Sequence, residues 1–208
     1  NIISKLLDIK IKNMLSLKNS LAVLKRTNAL LEGHFVLSSG LHSPSYVQCA
    51  KLLSNPTKAS KICLSLSKKI KKKIKKIDII LSPAMGGIII GYEIGKLLKK
   101  ETIFCERVSG KFVLRRGFNI KKRSKVLIVE DVITTGKSSL ECVKLIKKSG
   151  ATLAGFACII DRSNNKNLKI KKKIISQIKL NIPTYKKKDL PSNLKNIPIT
   201  KPGSRYIK

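Results

Sequence analysis

Two neighbouring carboxylates, Glu130 and Asp131, stand shortly before a turn of small and hydroxylated residues. The turn, residues 134–138, reads Thr-Thr-Gly-Lys-Ser and leads into a segment whose apolar residues have helical spacing. Backbone N–H groups at the start of a helix converge on one spot, and the helix dipole favours negative charge there, so the turn suits a phosphate. Carboxylates just upstream can accept hydrogen bonds from the hydroxyl groups of a sugar.

This arrangement has other interpretations. A strand, an acid, a turn and a helix follow one another in many α/β proteins, and an acidic pair at a strand end is often only a solvated cap. A Walker A phosphate loop is excluded by spacing, because Gly136-Lys137-Ser138 would need a glycine where Asp131 stands. The dinucleotide-binding pattern G-x-G-x-x-G is absent as well.

The complete order of residues narrows these alternatives. An apolar run, residues 126–129, precedes Glu-Asp-x-x-Thr-Thr-Gly-x-Ser. This order resembles the phosphoribosyl pyrophosphate (PRPP) binding motif of type I phosphoribosyltransferases. The resemblance implies that the acid pair holds the ribose hydroxyls, with Glu130 and Asp131 as catalytic residues, and that residues 134–138 hold the 5-phosphate. The PRPP contacts it implies are Glu130, Asp131, Val132, Ile133, Thr134, Thr135, Gly136, Lys137 and Ser138.

A second turn between a strand and a helix also suits an anion. Residues 82–87 read Ser-Pro-Ala-Met-Gly-Gly after an apolar run, and small residues let backbone amides approach a ligand closely. Any such turn can carry two glycines, so the pattern alone is weak. In the phosphoribosyltransferase family the equivalent loop binds the pyrophosphate of PRPP, which implies that Met85 and Gly86 contact it.

A basic segment, residues 107–118, contains three arginines in a chain that mainly uses lysine. Arginine suits bidentate phosphate recognition, and a Ser-Gly pair between basic residues fits a mobile loop or hairpin that closes over a leaving group. A solvated basic stretch is the alternative. In the family this segment is a catalytic loop that acts on the neighbouring subunit, which implies that Arg107 and Lys111 bind the pyrophosphate. The roles of Arg115 and Arg116 stay open.

Residues 33–47 alternate and turn as a β-hairpin does. Their order Phe-x-Leu-x-Ser-Gly-x-x-Ser-Pro-x-Tyr resembles a hairpin that covers the active site of orotate phosphoribosyltransferases. The resemblance implies that Tyr46 and Val47 lie against the orotate ring. Ser38 stands where many members have a lysine that touches PRPP, so that contact is not carried over.

Further residues complete the expected base pocket. The resemblance implies that Arg162, after an apolar run that ends at Asp161, binds the orotate carboxylate, and Thr134 is a further candidate for orotate contact. His34 and His42 lie in the hairpin without a third ligand. We therefore expect surface or turn roles for the two histidines rather than a zinc site.

Composition sets the class of protein. The 208 residues suit one domain, and the 42% hydrophobic fraction is typical of a globular chain. No apolar run reaches the roughly 18 residues of a membrane span, and no secretory leader pattern opens the chain. The cysteines are odd in number and scattered, which favours a reducing cytoplasm over a disulfide or metal framework; they are Cys49, Cys63, Cys105, Cys142 and Cys158.

The formal net charge of +34 is extreme. Such a field attracts nucleic acid and other polyanions. However, lysine, isoleucine and asparagine are the residues that an AT-rich genome favours, and only 4% of residues are aromatic, which leaves little for base stacking. We favour mutational bias as the cause and expect only adventitious binding of nucleic acid.

The elements that must position these residues alternate between apolar strands and amphipathic helices. Strands are predicted over 77–81, 102–106, 126–129, 154–160 and 174–180, with helices over 58–73, 88–98 and from 140 onward, the last one ended by Gly150. This order predicts an α/β fold with a mostly parallel central sheet flanked by helices. We expect a single domain: residues 1–32 as a helical arm with a pattern through Leu21, Leu24 and Leu31, forming part of a small hood over the active site, and residues 33–208 as the catalytic domain.

The resemblance as a whole implies orotate phosphoribosyltransferase activity, in which PRPP and orotate give orotidine 5′-monophosphate and pyrophosphate for pyrimidine biosynthesis. It also implies Mg²⁺ as the cofactor, carried by PRPP without an assigned protein ligand, and a homodimer that shares the loop between subunits. Two alternatives remain at this stage: a phosphoribosyltransferase for another base, and a PRPP-binding regulator of nucleic acid without enzymatic activity.

Overall fold

A six-stranded sheet forms the centre of the protein, in a computed structural model that describes residues 14–37, 39–163 and 168–200. All neighbouring strands are parallel except for one antiparallel strand at the edge. The spatial order is β5 (Lys111–Leu114), β4 (Glu101–Val108), β3 (Ile79–Pro83), β6 (Lys125–Ile133), β7 (Thr152–Asp161) and β8 (Ile174–Lys179). The predicted α/β fold with a mostly parallel sheet is therefore confirmed.

Helices cover both faces of this sheet. The helices that contact it are α1 (Leu17–Arg26), α3 (Pro56–Lys73), α4 (Gly86–Leu98) and α5 (Lys137–Lys148). Buried side chains form one cluster that joins the sheet to α3 and α4 and a second cluster that joins it to α5. Strand residues alternate between the clusters, with Ile80 in the first and Leu81 in the second, as the period of two requires. The remaining helices are α2 (Cys49–Leu53), α6 (Ser192–Lys195) and a 3₁₀ turn over Lys187–Asp189.

Local signals start these helices. The Asn55 side chain accepts a hydrogen bond from the Lys58 N–H at 3.0 Å, and Pro56 occupies the first position of α3. Ser16 caps α1 in the same way. Helix α5 has no side-chain cap, and the residue before it, Gly136, has φ of +73°. That left-handed backbone favours glycine, which explains why the turn contains one.

A small three-stranded sheet lies apart from the central one in strand order β2 (His42–Val47), β1 (Leu30–Val36) and β9 (Ile199–Thr200). Strands β1 and β2 form the antiparallel hairpin that the sequence predicts, with a bulge between Glu32 and Phe35. Strand β9 joins β1 in parallel. This sheet is the part of the fold that corresponds to the expected hood.

Two expectations for this region are wrong. Leu31 belongs to β1 and not to the N-terminal helix, because α1 ends at Arg26 and Asn28 turns the chain with φ of +53°. His34 and His42 are not surface residues: they are 2% and 5% exposed, and Nε2 of the first lies 2.6 Å from Nδ1 of the second. The hairpin brings the two rings together in the small sheet, tilted by 49°, which no local pattern indicates.

Several expectations fall outside the described residues, namely those on residues 1–13, on Ser38 and on the chain end at 201–208. Across the part of the chain that is described, no helix has the length and apolar character needed to cross a membrane.

Candidate active site

The predicted site residues gather at one edge of the central sheet, where the parallel strands have their carboxyl ends. Met85 and Gly86 follow β3, Arg107 lies near the end of β4, and Arg162 follows β7. Cross-strand register brings these ends level, because Pro83 of β3 pairs with Cys105 of β4 and Ile133 of β6 pairs with Asp161 of β7. Ligands of open α/β sheets bind at this edge, so the structure brings the four loops to one place.

The acid pair lies inside a strand rather than after it. Strand β6 continues to Ile133, beyond the predicted end at 129, because it pairs with β7 along that whole length. Glu130 is 8% exposed, and the Ser139 hydroxyl of α5 donates a hydrogen bond to its Oε1. The pKa of Glu130 is raised to about 7, mainly by burial and in part by the negative charge of Asp131, while the hydrogen bond from Ser139 acts in the opposite direction.

Asp131 faces the turn that follows β3. Its Oδ1 accepts a hydrogen bond from the Val132 N–H at 2.9 Å, and burial raises its pKa. A Cβ atom built on Gly86 would lie 2.7 Å from Oδ2 of Asp131. The residues that the sequence assigned to ribose and to pyrophosphate are therefore neighbours, and a side chain at position 86 would have to displace the Asp131 carboxylate.

The phosphate turn lies open at the start of α5. Thr134, Thr135 and Lys137 are exposed, and Ser138 is half-buried. Gly136 is packed so closely that a Cβ would lie 2.6 Å from Ile170 Cδ1, which fixes the path of the turn. The first N–H groups of α5 have no intrahelical partner, so they are available to an anion.

Two predicted PRPP contacts have side chains that pack against the hydrophobic clusters. The Ile133 side chain is 1% exposed and belongs to the hydrophobic cluster beneath α5, and Val132 packs against the opposite cluster. The predicted orotate contact Val47 is also a core residue, with 8% exposure. Ile133 and Val47 are thus core side chains, whereas Val132 is half-buried, and their contacts with ligands stay predictions.

Arg162 and Tyr46 meet on the side of the site nearest the small sheet. The Arg162 N–H donates to the Ile133 carbonyl at 2.8 Å, which places Arg162 beside Thr134. Its Nε is buried and has no hydrogen-bond partner among the described residues. Burial lowers the pKa of Arg162, and the electrostatic interaction with Tyr46 acts in the opposite direction. A buried guanidinium nitrogen without a partner is suited to an anionic ligand.

The basic segment forms a hairpin of β4 and β5. Ser109 and Gly110 both have positive φ, +46° and +79°, as a two-residue hairpin turn requires. Arg107 pairs with Glu141 of α5 at 2.9 Å, and its Cζ lies 4.1 Å from the centre of the Phe112 ring. Lys111, at the start of β5, is exposed.

The two arginines with open roles differ. Arg116 makes a bidentate pair with Glu106, with Nε and Nη2 at 3.1 and 2.9 Å from the two carboxylate oxygens. Both arginines are exposed, and this surface ion pair links Arg116 to β4.

Sequence reasoning missed two residues of α5 that contact site residues. Ser139 bonds Glu130, and Glu141 pairs with Arg107. A signal existed for Ser139, because a polar residue buried on the inner face of an otherwise apolar helix needs a partner. Glu141 carried no such signal, since its partner lies on a distant strand.

Comparison with known proteins identifies the family of this chain. The model of the phosphoribosyl transferase domain family matches residues 50–187. The sheet, the acid pair and the phosphate turn thus belong to a transferase of the phosphoribosyltransferase class. The chain is 47% identical to the orotate phosphoribosyltransferase of Parvibaculum lavamentivorans over 88% of this chain and 94% of that relative. It is 44% identical to that of Erythrobacter litoralis over 89% and 96%. The chain belongs to the orotate phosphoribosyltransferase family.

Solved structures agree on the fold. The crystal structure of orotate phosphoribosyltransferase from Aeropyrum pernix aligns with a TM-score of 0.64 and 23% identity, covering 76% of this chain and 92% of that one. An adenine phosphoribosyltransferase from Thermoanaerobacter pseudethanolicus aligns with a TM-score of 0.56 and 17% identity, covering 65% and 88%. The fold is therefore shared across bases and does not select one.

Proposed function

We propose that this chain transfers the 5-phosphoribosyl group from PRPP to orotate, giving orotidine 5′-monophosphate and pyrophosphate. The observation that carries the choice of base is Arg162, whose buried Nε has no partner within the described part of the chain and whose charge interacts with Tyr46. Orotate has a ring that can stack and a carboxylate that can take such a guanidinium. Uracil and the purines lack the carboxylate.

The site suits a reaction that depends on the placement of its two substrates more than on a strong base. Displacement at the anomeric carbon gives the ribose oxocarbenium character, and the departing pyrophosphate gains negative charge. In our proposal Glu130 and Asp131 hold the ribose hydroxyls, and residues 134–138 hold the 5-phosphate through backbone N–H groups. Met85 and Gly86 offer backbone amides to the pyrophosphate. Charge that develops on it is stabilised by preorganised donors.

Arg107 and Lys111 would close on the same pyrophosphate from the hairpin. Support comes from the position of Arg107 at the end of β4, level with the turn after β3. Its pairing with Glu141 holds it near the start of α5 in the unliganded chain. We infer that the hairpin moves when pyrophosphate competes for the guanidinium.

Mg²⁺ enters this scheme as part of the substrate. No group of three or more His, Cys, Asp or Glu suited to hold a metal occurs within residues 14–37, 39–163 and 168–200. A magnesium ion prefers phosphate oxygens and water over a protein cage, so the ion would arrive bound to PRPP. EDTA should abolish turnover, and added Mg²⁺ should restore it.

A homodimer is part of the proposal. Helix α4 and the residue before it have a stripe of exposed apolar residues, Met85, Ile89 and Tyr92, at 82%, 55% and 68% exposure. Their spacing of four and three puts them on one helical face. The stripe begins in the candidate pyrophosphate turn, so a second copy seated on it would lie next to the site. This position supports the exchange of hairpins between subunits.

Buried free cysteines support a reducing cytoplasm, because all five are free and buried. Nucleic acid is expected to bind only adventitiously through the high positive charge. The remaining alternatives are transfer to another base and regulation through PRPP without catalysis.

The deciding experiment follows the loss of orotate absorbance with purified protein, PRPP and Mg²⁺. Adenine, hypoxanthine and uracil are run in parallel. Consumption of orotate alone supports the proposal. Consumption of another base would overturn the role of Arg162, and PRPP binding without consumption of any base would favour the regulator.

A further inference from the structure

Ser139 is a buried residue that neither the PRPP motif nor the phosphate turn includes. It is the third residue of α5, it has no exposed surface, and its hydroxyl donates a hydrogen bond to Oε1 of Glu130 in β6. The bond joins the helix that begins at the phosphate turn to the strand that carries the acid pair. Oε2 of Glu130 has no hydrogen-bond partner among the described residues, which leaves it for a ligand.

The groups around Glu130 come from three elements. Its own strand contributes Asp131, whose negative charge disfavours a second one. Strand β7 contributes the Cys158 thiol, which is opposite Glu130 in the register, and α5 contributes the Cys142 thiol. Both thiols are buried and have raised pKa values, so they stay neutral. Among these neighbours the Ser139 hydroxyl is the one that favours the ionised carboxylate.

We propose that Ser139 is a positioning residue, which turns the Glu130 carboxylate so that Oε2 faces the ribose and which favours the ionised form of that carboxylate at neutral pH. The inference rests on the proposed function, since it assigns Glu130 to the ribose hydroxyls. A serine hydroxyl has one proton to donate, and an ionised carboxylate accepts it better than a protonated one.

The expected effect follows from the pKa of Glu130, which burial raises to about 7. Near that pH about half of the carboxyl groups are ionised. A hydrogen bond to a charged group shifts the pKa of that group by about one to two units. Ser139→Ala should therefore move the titration upward by about one unit or more. At pH 7 the ionised fraction, and with it kcat/KM for PRPP, should fall by about fivefold.

The kinetic test records kcat/KM for PRPP from pH 5.5 to 9.5 for the wild type and for Ser139→Ala. We expect the acidic limb of the variant to lie at higher pH and the two profiles to approach each other at pH 9. The 5-phosphate of PRPP titrates near pH 6 in both proteins, so it cancels from the comparison. The matched control is Ser138→Ala on the neighbouring serine, which should lower kcat/KM at every pH without moving the limb.

A double variant separates positioning from simple packing. In the Glu130→Gln background the side chain at position 130 cannot ionise, so Ser139→Ala should no longer move the acidic limb. Ser139→Cys keeps the size but donates weakly, and we expect a smaller shift in the same direction. It serves as the second variant if alanine lowers the yield of folded protein.

A direct titration does not depend on turnover. The ¹³C chemical shifts of the glutamate carboxyl groups are followed against pH, and the Glu130 signal is assigned by its loss in Glu130→Gln. An upward move of its midpoint in Ser139→Ala supports the inference even if orotate is not the substrate. An unchanged midpoint would overturn the inference. So would a loss of kcat/KM on Ser139→Ala that is independent of pH and equal in the wild-type and Glu130→Gln backgrounds. If the midpoint shifts but the protein does not consume orotate, the inference about Ser139 stands and the proposed function is wrong.

Discussion

A methyl group at Gly86 would collide with the carboxylate of Asp131. The Cβ atom of an alanine would lie 2.7 Å from Oδ2 and 2.8 Å from Oδ1, where ordinary contact begins at 3.4 Å. About 0.7 Å of movement is therefore needed. Asp131 is the flexible partner, because Gly86 is held between β3 and α4. We expect Gly86→Ala to displace the acid that the proposed mechanism places on the ribose.

The cost should appear in turnover and not in stability. Gly86 is the first residue of α4 and its φ is not positive, so alanine gains about 0.5–1 kcal/mol of backbone entropy there. That gain offsets part of the steric cost. A misplacement of about 1 Å in a catalytic group lowers the rate on the order of 10²-fold. A fall in kcat/KM on that order, with Tm nearly unchanged, is the expected result.

The assay is initial-rate loss of orotate absorbance, with Tm measured by circular dichroism. Gly87→Ala is the matched control, because its Cβ would meet the Val129 carbonyl and Pro83 at 3.1 Å and does not approach Asp131. It should lower Tm more than Gly86→Ala and lower turnover less. In an Asp131→Asn background, Gly86→Ala should lower kcat/KM little further, since both changes act on the same carboxylate. Wild-type kcat/KM in folded Gly86→Ala protein would refute the reasoning.

Four further predictions follow from the same contacts. Asp131→Asn should lower kcat at least about 10²-fold with the fold intact; wild-type turnover would remove Asp131 from the mechanism. Arg162→Ala should raise the orotate KM at least about tenfold with little change in the PRPP KM; equal effects would remove Arg162 from the base pocket. The pKa of Glu130 is about 7 in the folded protein, above its ordinary 4.5, so between these pH values the unfolded state binds fewer protons than the folded state. The free energy of unfolding should therefore fall as the pH rises from 4.5 to 7, by up to about 3 kcal/mol. Glu130→Gln should flatten that slope in urea titrations at pH 4.5 and 7, and an unchanged slope would contradict the burial argument. Ile89→Asp should convert dimer to monomer in sedimentation velocity, and an unaltered dimer would place the interface elsewhere.

The order of strands and helices could be predicted because it depends on local patterns. Apolar runs such as residues 126–129 mark strands buried on both faces. Gly136 marks the phosphate turn, because a left-handed backbone is needed there. The strand ends were less predictable. Strand β6 continues to Ile133 because β7 pairs with it, and that pairing has no local signature.

The histidine pair shows a contact that no single-segment pattern contains. His34 and His42 meet because the hairpin register and β9 enclose them, so a polar pair expected at the surface became buried. Arg116 and Glu106 are a similar case, since the sequence left the role of Arg116 open. The charge of the segment did not show that Arg116, and not Arg115, forms an ion pair with Glu106.

The sequence by itself determined the class of fold, the PRPP motif and the family, because these depend on residue types at fixed spacing within one stretch. The tertiary structure alone decided that Gly86 abuts Asp131 and that Ser139 bonds Glu130. It also decided that Arg162 has a buried donor to which no other described residue bonds. The physical reason is that spacing along the chain reports backbone geometry over a few residues. The environment that sets the pKa and the reach of a side chain comes from elements far away in sequence, which meet only when the sheet is assembled.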